Sequence, residues 1–449
     1  MNSNKYTPII GLEIHAELKT NSKMFCSCKN DPFGAEEPNI YTCAVCLGMP
    51  GGLPIPNKKA IEWTIQLGLA LDCQINLFSK FDRKNYFYPD LAKGYQISQY
   101  DIPFCYKGKI QTSEGEIGIT RIHLEEDTGK LLHEKVNGEE VSLIDFNRSG
   151  VPLVEIVSEP DIKTGSQAKE YGKKLRQIMR YLGIAECRMA EGGMRLEANI
   201  SLQQKGETDL PNYKVEVKNI NSFKFLEQAI DFETERQSKI LDKGETPIQE
   251  TRGWDSTKSR TFSQRSKEDA ADYRYFPDPD IPPIEFTQKQ VDQLHQEIPE
   301  LPNQIIQRWT KDYGVEERYA LQLSQEKSLA LFLEQLFAQA TAQKIQANQL
   351  ANDLVNKKIE LPNQEEQLTF KLIDQLIKSF LALHQTNQLD QDRLSSLIEE
   401  VLANNPDAVE KYKAGKVQII GFLMGQIISK LDEKPDPTQI KEALVQKLS

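Results

Sequence analysis

The sequence contains no uninterrupted apolar run near the roughly 20 residues that a membrane-spanning helix requires, so it predicts no transmembrane segment and no membrane partner. Its first residues, Met1–Lys5, lead into a strand pattern and do not resemble a signal peptide. The protein is therefore expected in the cytoplasm. Its cysteines number seven, an odd count, which without a secretion signal favours thiols and metal ligands over disulfides.

Excess positive charge is also absent. The 449 residues include 66 acidic and 55 basic side chains, giving a formal net charge of −11, which argues against non-specific nucleic-acid binding and against DNA as a partner. The net charge does not exclude an RNA partner that binds to a local basic patch. Neither Gly-x-x-x-x-Gly-Lys-Ser/Thr nor Gly-x-Gly-x-x-Gly occurs, so any nucleotide binds without a standard phosphate loop. No Ser/His/Asp nucleophile set is evident either.

Glycine becomes scarce after about residue 289, where Gln, Leu, Ala and Lys dominate and apolar residues recur at helical spacing. Before residue 289, the chain contains short Ile-, Val-, Phe- and Tyr-rich runs separated by turn residues, a pattern typical of β-sheet. These patterns predict an α+β protein. Its expected parts are a sheet-rich N-terminal domain with flanking helices at 1–288, a helical linker domain at 289–385 and a helical tail domain at 386–449.

The same patterns predict individual elements. Ser166 is expected to cap a helix that ends at Gly183, and the polar segment 385–391 is expected to be a hinge. Strands are predicted at 5–20, 194–203 and 212–218, helices at 58–71, 164–183 and 222–243, and further sheet at 75–160.

Three consecutive carboxylates stand beside an imidazole in the stretch His123–Asp127. An acidic triplet alone is usually a solvated edge. Glu13 and His15 favour another interpretation, because they alternate with apolar residues in a predicted strand and share one face, where an unpaired charge is costly. Carboxylates with one imidazole suit Mg²⁺ or Mn²⁺, which bind carboxylates and substrate phosphates together.

Four of the cysteines form two close pairs, Cys26 with Cys28 and Cys43 with Cys46. Two such pairs across a short loop supply a tetrahedral ligand set that favours Zn²⁺. All four positions are filled by protein, so the expected role is structural, holding a loop that has little core of its own. The alternative is four unrelated buried thiols, which is the interpretation given to the remaining three cysteines.

Other polar segments also suggest ligand binding. Lysine and arginine interleave with tyrosines across 81–101, as in many nucleic-acid and nucleotide sites. Taken alone, this pattern is more often a tyrosine-rich sheet with salt bridges. Arg148 lies in a turn from which it can bind phosphate. Lys218 precedes a helix start, and helix N-termini favour anions. Arg195, Glu197 and Asn199 share one strand face.

Taken together, these segments resemble the B subunit of the aspartyl/glutamyl-tRNA(Asn/Gln) amidotransferase family. The resemblance covers essentially the whole chain and is most specific across 9–283. Besides the four paired cysteines, the matching motifs are GLEIH (11–15), LGMPG (47–51), RKNYFYPD (83–90), GYQISQYD (94–101), LEED (124–127), NRSGVPL (147–153), KNINS (218–222), DYRYFP (272–277), KAGK (413–416) and GFLMGQ (421–426).

The resemblance implies an ATP-dependent carbon–nitrogen ligase that takes its amide nitrogen from glutamine. In the family, ATP phosphorylates the side-chain carboxylate of Glu-tRNA(Gln) or Asp-tRNA(Asn), and ammonia displaces the phosphate. The ammonia reaches the site through a tunnel from the amidase, or A, subunit, and a small C subunit supports the assembly. A non-catalytic tRNA-binding scaffold is the alternative within the family. Without the resemblance, the residues suggest a zinc-containing, metal-dependent phosphotransferase acting on a small acid.

The family's metal-site positions fall on Glu13, His15, Glu125 and Glu126. Arg148 and Lys218 are our hypotheses for phosphate contacts, and Glu197 is assigned to the metal site. Lys80 and Lys84 lie near the family's ammonia tunnel. The helical half resembles the tRNA-binding part.

This chain departs from the family pattern at several positions. Glu197 and Leu196 replace an aspartate and a cysteine, Ala92 a proline, and Ala271 a histidine. The segment 432–434 replaces a Lys/Gly-rich turn, so weaker binding of tRNA by the tail is expected.

Overall fold

The computed structural model of the protein describes residues 5–266, 272–362, 368–413, 416–430 and 437–448. Ala271 and the segment 432–434 lie outside these ranges. The chain divides into two compact units, Met1–Ile305 and Ile306–Ser449. A large sheet dominates the first unit and helices make up the second, which confirms the mixed α+β class. In the described ranges, no helix is both long and apolar enough to cross a bilayer.

The first unit combines many strands with a few helices. The strands are β1 (Tyr6–Glu17), β2 (Gln74–Ile75), β3 (Phe78–Ser79), β4 (Asp82–Asn85), β5 (Tyr95–Ser98), β6 (Cys105–Thr112), β7 (Gly115–Glu126), β8 (Lys130–Val136), β9 (Glu139–Asp145), β10 (Pro152–Ser158), β11 (Met194–Gln204), β12 (Val215–Ile220), β13 (Glu250–Asp255), β14 (Arg260–Ser266), β15 (Phe276–Pro277) and β16 (Ile284–Glu285). The helices are α1 (Lys58–Ala70), α2 (Gly165–Leu182), α3 (Phe223–Leu241) and α4 (Gln288–Gln296).

Nine strands form one sheet in the order β14-β13-β12-β11-β1-β10-β7-β6-β2. Neighbouring strands run antiparallel except β12 and β13, which are parallel. Strand β1 lies in the middle of the sheet and alternates as predicted. Ile10, Leu12 and Ile14 are fully buried on one face, so Glu13 and His15 point to the opposite face.

Helices α2 and α3 cover the apolar face of this sheet. Tyr171 and Leu175 of α2 and Leu226 of α3 belong to the same buried cluster as the apolar side chains of β1. The predicted stop at Gly183 is confirmed, because this residue caps α2 with a left-handed φ of 72°. The predicted N-cap is wrong. The side chain of Thr164 accepts the capping hydrogen bond, and Ser166 lies inside the helix.

Three small sheets accompany the large one: β15-β4-β5, β16-β3 and the hairpin β8-β9. The first of them carries the basic-aromatic segment, with Lys84 paired to Gln96 across β4 and β5. Strand β5 also contacts β7. The basic-aromatic segment therefore lies against the strand that contains Glu125.

The second unit is helical, as the loss of glycine predicts. From Pro302 onward, four residues before the second unit begins, the chain forms α5 (Pro302–Tyr313), α6 (Glu317–Leu323), α7 (Lys327–Ala342), α8 (Ala347–Val355), α9 (Phe370–Asn404), α10 (Pro406–Lys413), α11 (Ile420–Ile428) and α12 (Pro437–Leu448). Helix α9 runs through 385–391, so the hinge predicted there is wrong. After residue 391, the last part of α9 packs with α11 and α12. Their shared core is formed by Leu394, Ile398, Val401, Leu423, Ile427, Ile440, Leu444 and Leu448.

Candidate active site

Polar side chains occupy the second face of the large sheet, opposite α2 and α3. Arg195 of β11, His15 of β1, Glu155 of β10 and His123 of β7 are direct cross-strand partners, so they form one row across four strands. Glu13 and Glu197 are partners in a neighbouring row. We call this surface the polar face. It arises because these strands turn their apolar residues toward the face covered by helices, so the charged residues that alternate with them lie on the other face.

The first group on the polar face contains His15, Glu125 and Glu155, whose ligand atoms lie within 4.8 Å of one another. The Oε2 atom of Glu155 lies 3.3 Å from Nε2 of His15 and 3.1 Å from Nε2 of His123. Burial lowers the pKa of His15, but the neighbouring Glu155 and Glu125 outweigh this effect and raise the pKa to about 9. The pKa of His123 is raised to about 9 by the same balance.

The second group contains Glu13, Glu197 and Glu216, with the same mutual spacing. Oε1 of Glu13 accepts a 2.8 Å hydrogen bond from Nδ2 of Asn199. Burial and the nearby charges of Glu155 and Glu197 raise the pKa of Glu13. Lys218 donates to Oε2 of Glu197 at 2.8 Å. The group therefore concentrates negative charge that one lysine offsets only in part.

Both groups fit divalent cations. Their donors are carboxylate oxygens and an imidazole nitrogen, the ligand types that Mg²⁺ and Mn²⁺ accept. The raised pKa of Glu13 has mutual repulsion as one of its causes, and a cation would relieve that repulsion. Nδ1 of His15 and Nδ1 of His123 are buried without a hydrogen-bond partner among the described residues, so these rings are held through their Nε2 atoms alone.

The structure does not bring Glu126 together with Glu13, His15 and Glu125. Its carboxylate accepts from the backbone N–H of Ile97 at 3.0 Å and pairs with Nζ of Lys93 at 2.6 Å. Glu125 and Glu126 are consecutive in β7, and consecutive strand residues point to opposite faces. Of the four residues predicted to bind the metal, Glu13, His15 and Glu125 thus belong to the two groups on the polar face and Glu126 to neither; metal binding itself stays a prediction.

The two lysines assigned to the ammonia tunnel have different environments. Burial lowers the pKa of Lys84, but the charges of Glu125, Tyr275 and Glu155 raise it above its ordinary value. Lys84 also lies 4.9 Å from the ring centroid of Tyr273. Lys80 instead forms ion pairs with Asp82 and, at 2.6 Å, with Asp101. Lys84 is thus close enough to Glu125 and Glu155 for their charges to stabilise its ammonium group, whereas Lys80 is held by ion pairs with Asp82 and Asp101.

Arg148 and Arg195 surround Asp127 at the end of β7. Arg195 forms an ion pair with Asp127, and Nε of Arg148 lies 3.7 Å from it. Burial raises the pKa of Asp127, but the two guanidinium groups hold it well below its usual range. Arg148 also donates to the backbone oxygens of Thr128 and Gly129 at 3.0 and 2.7 Å. Its guanidinium therefore holds the turn that follows the acidic strand.

The four paired cysteines converge as the spacing predicts, with all four Sγ atoms within 4.8 Å of one another. This donor set fits Zn²⁺. Fully buried Lys23 lies behind it: its Nζ donates to the backbone oxygen of Tyr41 at 2.7 Å and lies 3.9 Å from Sγ of Cys46. A hydrogen bond from Cys26 and the charge of Lys23 contribute to lowering the pKa of Cys46 to about 5.

Comparison with known proteins identifies the family. The sequence profile of the GatB/GatE catalytic domain matches residues 8–292, and that of the GatB domain matches residues 320–448. The chain belongs to the family of amidotransferase B subunits. Among its relatives are two proteins that are each named as the B subunit of an aspartyl/glutamyl-tRNA(Asn/Gln) amidotransferase. The Thermoanaerobacter pseudethanolicus protein is 42% identical over 479 residues, covering 99% of this chain and all of the relative. The Dehalococcoides mccartyi protein is 43% identical, covering 98% of each.

The family resemblance predicted from sequence is thus confirmed, but sequence reasoning left three polar-face residues of this amidotransferase chain unassigned. Glu155 and Glu216 are each a lone charge inside an apolar strand, as in Val154-Glu155-Ile156 and Val215-Glu216-Val217. A lone charge inside an apolar strand is also the pattern that predicts Glu13, so the same pattern could have identified Glu155 and Glu216. His123 was noted only as part of the acidic stretch. The strand register that joins these residues to His15 is not visible in the sequence.

Proposed function

We propose that this chain is the catalytic subunit that converts misacylated Glu-tRNA(Gln), Asp-tRNA(Asn) or both into Gln-tRNA(Gln) and Asn-tRNA(Asn). In the proposed reaction, an oxygen of the side-chain carboxylate attacks the γ-phosphorus of ATP, giving an acyl phosphate and ADP. Ammonia then attacks the acyl carbon, inorganic phosphate leaves and the amide forms. The polar face is the observation that supports this proposal, because it gathers the charged groups that such a transfer between two anions requires.

The proposed cation ligands are His15, Glu125 and Glu155 in one group and Glu13, Glu197 and Glu216 in the other. Bound Mg²⁺ or Mn²⁺ would neutralise negative charge on phosphate and carboxylate oxygens. The longer side chain of Glu197, where the family has aspartate, still reaches the second group. ATP is the proposed nucleotide, bound without a standard phosphate loop.

Protein side chains supply the remaining charge. Lys84 is in position to hold an anionic group beside Glu125 and Glu155, and we retain it, with Lys80, as a proposed residue of the ammonia route. Lys218 and Arg148 remain our proposals for phosphate contacts. Both already have protein partners, since Arg148 donates to the carbonyls of Thr128 and Gly129 and Lys218 donates to Glu197. The Lys218 side chain is the more exposed of the two, 38% against 20%.

The proposed partners are an amidase, or A, subunit that supplies ammonia, a small C subunit and the misacylated tRNA, in the cytoplasm. We propose residues 1–288 as the catalytic domain, 289–385 as a linker domain and 386–449 as the tRNA-binding tail. The shared core of α9, α11 and α12 lies wholly within 386–449, which supports this part as a unit. Structural zinc is proposed at the four paired cysteines.

The test uses the reconstituted complex with glutamine, ATP and either misacylated tRNA(Gln) or misacylated tRNA(Asn). Glu125→Gln removes a charge from the first group while nearly preserving shape, and we expect amidation to fall by roughly 10³-fold. The matched control is Thr64→Val, whose buried hydroxyl donates within its own helix to the backbone oxygen of Ala60. Unchanged amidation by Glu125→Gln would leave the scaffold alternative in place.

Deletion of 386–449 separates the tRNA-dependent reaction from a phosphotransferase acting on a small acid. We expect the truncated protein, assembled in the complex, to bind misacylated tRNA more weakly and to show a raised KM for it. Unaltered affinity and activity would argue against tRNA as the substrate.

A further inference from the structure

Strand β5 contacts the end of β7 through side chains, although the two strands belong to different sheets. Three consecutive residues of β7 take part. The N–H of Leu124 donates to Oε1 of Gln99, Oε2 of Glu125 accepts from Oγ of Ser98 at 2.9 Å, and Oε1 of Glu126 accepts from the N–H of Ile97. We call this set of hydrogen bonds the β5–β7 contact.

Glu126 is the charged centre of the β5–β7 contact. It is 3% exposed, and both of its carboxylate oxygens have partners. Lys93 reaches Oε1 at 2.6 Å and Oε2 at 2.7 Å, and the Gln96 side chain donates to the Glu126 backbone oxygen at 2.7 Å. A buried carboxylate with this many donors is fully satisfied by protein, which leaves it no role as a cation ligand.

Ser98 connects the same contact to the polar face. Its hydroxyl is buried and fixes one oxygen of Glu125, which also faces Nε2 of His15 at 3.9 Å through the other oxygen. The neighbouring strand β4 carries Lys84, which pairs with Gln96 of β5. A displacement of β5 would therefore move the serine that orients Glu125 and the lysine that lies beside it.

We propose that Ser98 and Glu126 are positioning residues: Glu126 with Lys93 fixes β5 on the end of β7, and Ser98 orients the Glu125 carboxylate for its cation. This inference rests on the proposed cation-dependent activation on the polar face. Neither residue touches the reacting groups. A hydrogen bond of this kind, from outside the ligand set, determines which way a metal-binding carboxylate points.

The experiment measures Mn²⁺ binding by electron paramagnetic resonance, separately from amidation, on the reconstituted complex. For Ser98→Ala we expect the same number of bound ions, a half-saturating Mn²⁺ concentration raised about tenfold and an unchanged melting temperature. Ser98→Thr, which keeps the hydroxyl, should restore the wild-type value. Thr64→Val is the control for loss of a buried hydroxyl. If the half-saturating Mn²⁺ concentration of Ser98→Ala equals that of Thr64→Val, the proposed role of Ser98 is overturned.

Glu126→Gln distinguishes a positioning residue from a ligand. We expect it to bind as many Mn²⁺ ions as wild type, with affinity within about threefold and kcat lowered about tenfold, whereas Glu125→Gln loses an ion. Loss of an ion from Glu126→Gln would overturn the inference. Binding of no Mn²⁺ by wild type would instead refute the proposed cation-dependent function.

Lys93→Gln provides a second route if Glu126→Gln fails to fold, because it breaks the same ion pair and leaves Glu126 in place. We expect a lowered kcat with unchanged Mn²⁺ stoichiometry. Full activity of Lys93→Gln would contradict the proposed role of the pair.

Discussion

The polar face and the cysteine loop are both proposed metal sites, but they are held together in different ways. The acidic groups stand on central strands of a nine-stranded sheet, and protein cations such as Lys84 and Lys218 already offset part of their charge. The cysteines stand on irregular chain between β1 and α1, where the proposed zinc would hold a loop without regular secondary structure. Loss of the metal should therefore stop chemistry at the polar face and unfold structure at the cysteine loop.

The largest expected effect is on chemistry. Glu155→Gln removes the carboxylate shared by His15 and His123 and should lower amidation by roughly 10³-fold, with little change in circular dichroism. The control is Glu159→Gln. The Glu159 carboxylate lies just after the same strand at an exposed site, where it accepts a hydrogen bond from the Thr120 hydroxyl. Comparable activity loss in both variants would show that the polar face has no special role.

The second effect is on structure. Cys28→Ser removes one of the four proposed zinc ligands, so we expect loss of bound zinc, a melting temperature lowered by ~5 °C and rapid proteolysis within 29–42. Cys73→Ser, at a buried cysteine outside the cluster, is the control and should retain zinc. A zinc-free Cys28→Ser protein with a protease-resistant loop would mean that metal does not hold this region.

A smaller effect concerns the charge behind the cysteines. Lys23→Met removes the ammonium near Cys46 and should release zinc to a chelator about tenfold faster, because groups outside the ligand set tune metal affinity. Lys23→Arg keeps the charge and should release zinc more slowly than Lys23→Met. Equal rates in the two variants would assign the role of Lys23 to packing alone.

The smallest effect is a pH dependence at the polar face without Mg²⁺ or Mn²⁺. His15 and His123 have pKa values raised from 6.5 to about 9, so the stability they contribute is complete below about pH 6.5 and lost as pH rises to about 9. The melting temperature should fall across this window, and less so in His123→Gln. Identical pH profiles for the two proteins would contradict this account of the histidines.

The same comparison explains what sequence could predict. The cysteine cluster depends on ligands close in sequence, so spacing alone located all four. The acidic groups depend on strand register, which connects Glu13 to Glu197 and His15 to Glu155. Alternation predicts Glu13 and His15, whereas adjacency in sequence grouped Glu126 with Glu125, and the structure places the Glu126 carboxylate outside both acidic groups. In a strand, adjacent residues face opposite ways, and only the fold shows that Glu126 meets Lys93.

Helix boundaries show a similar limit. Composition identified the helical half, but the polar run at 385–391 suggested a break that α9 does not contain. A run of polar residues does not by itself predict a break, because polar side chains are compatible with a helix as well as with a loop.

Anomalous scattering from crystals of the complex soaked in Mn²⁺ tests the central claim most directly. We predict density between His15, Glu125 and Glu155, and between Glu13, Glu197 and Glu216, with none at Glu126. The account would be contradicted by crystals that show neither peak on the polar face, whether or not they bind Mn²⁺ at other places.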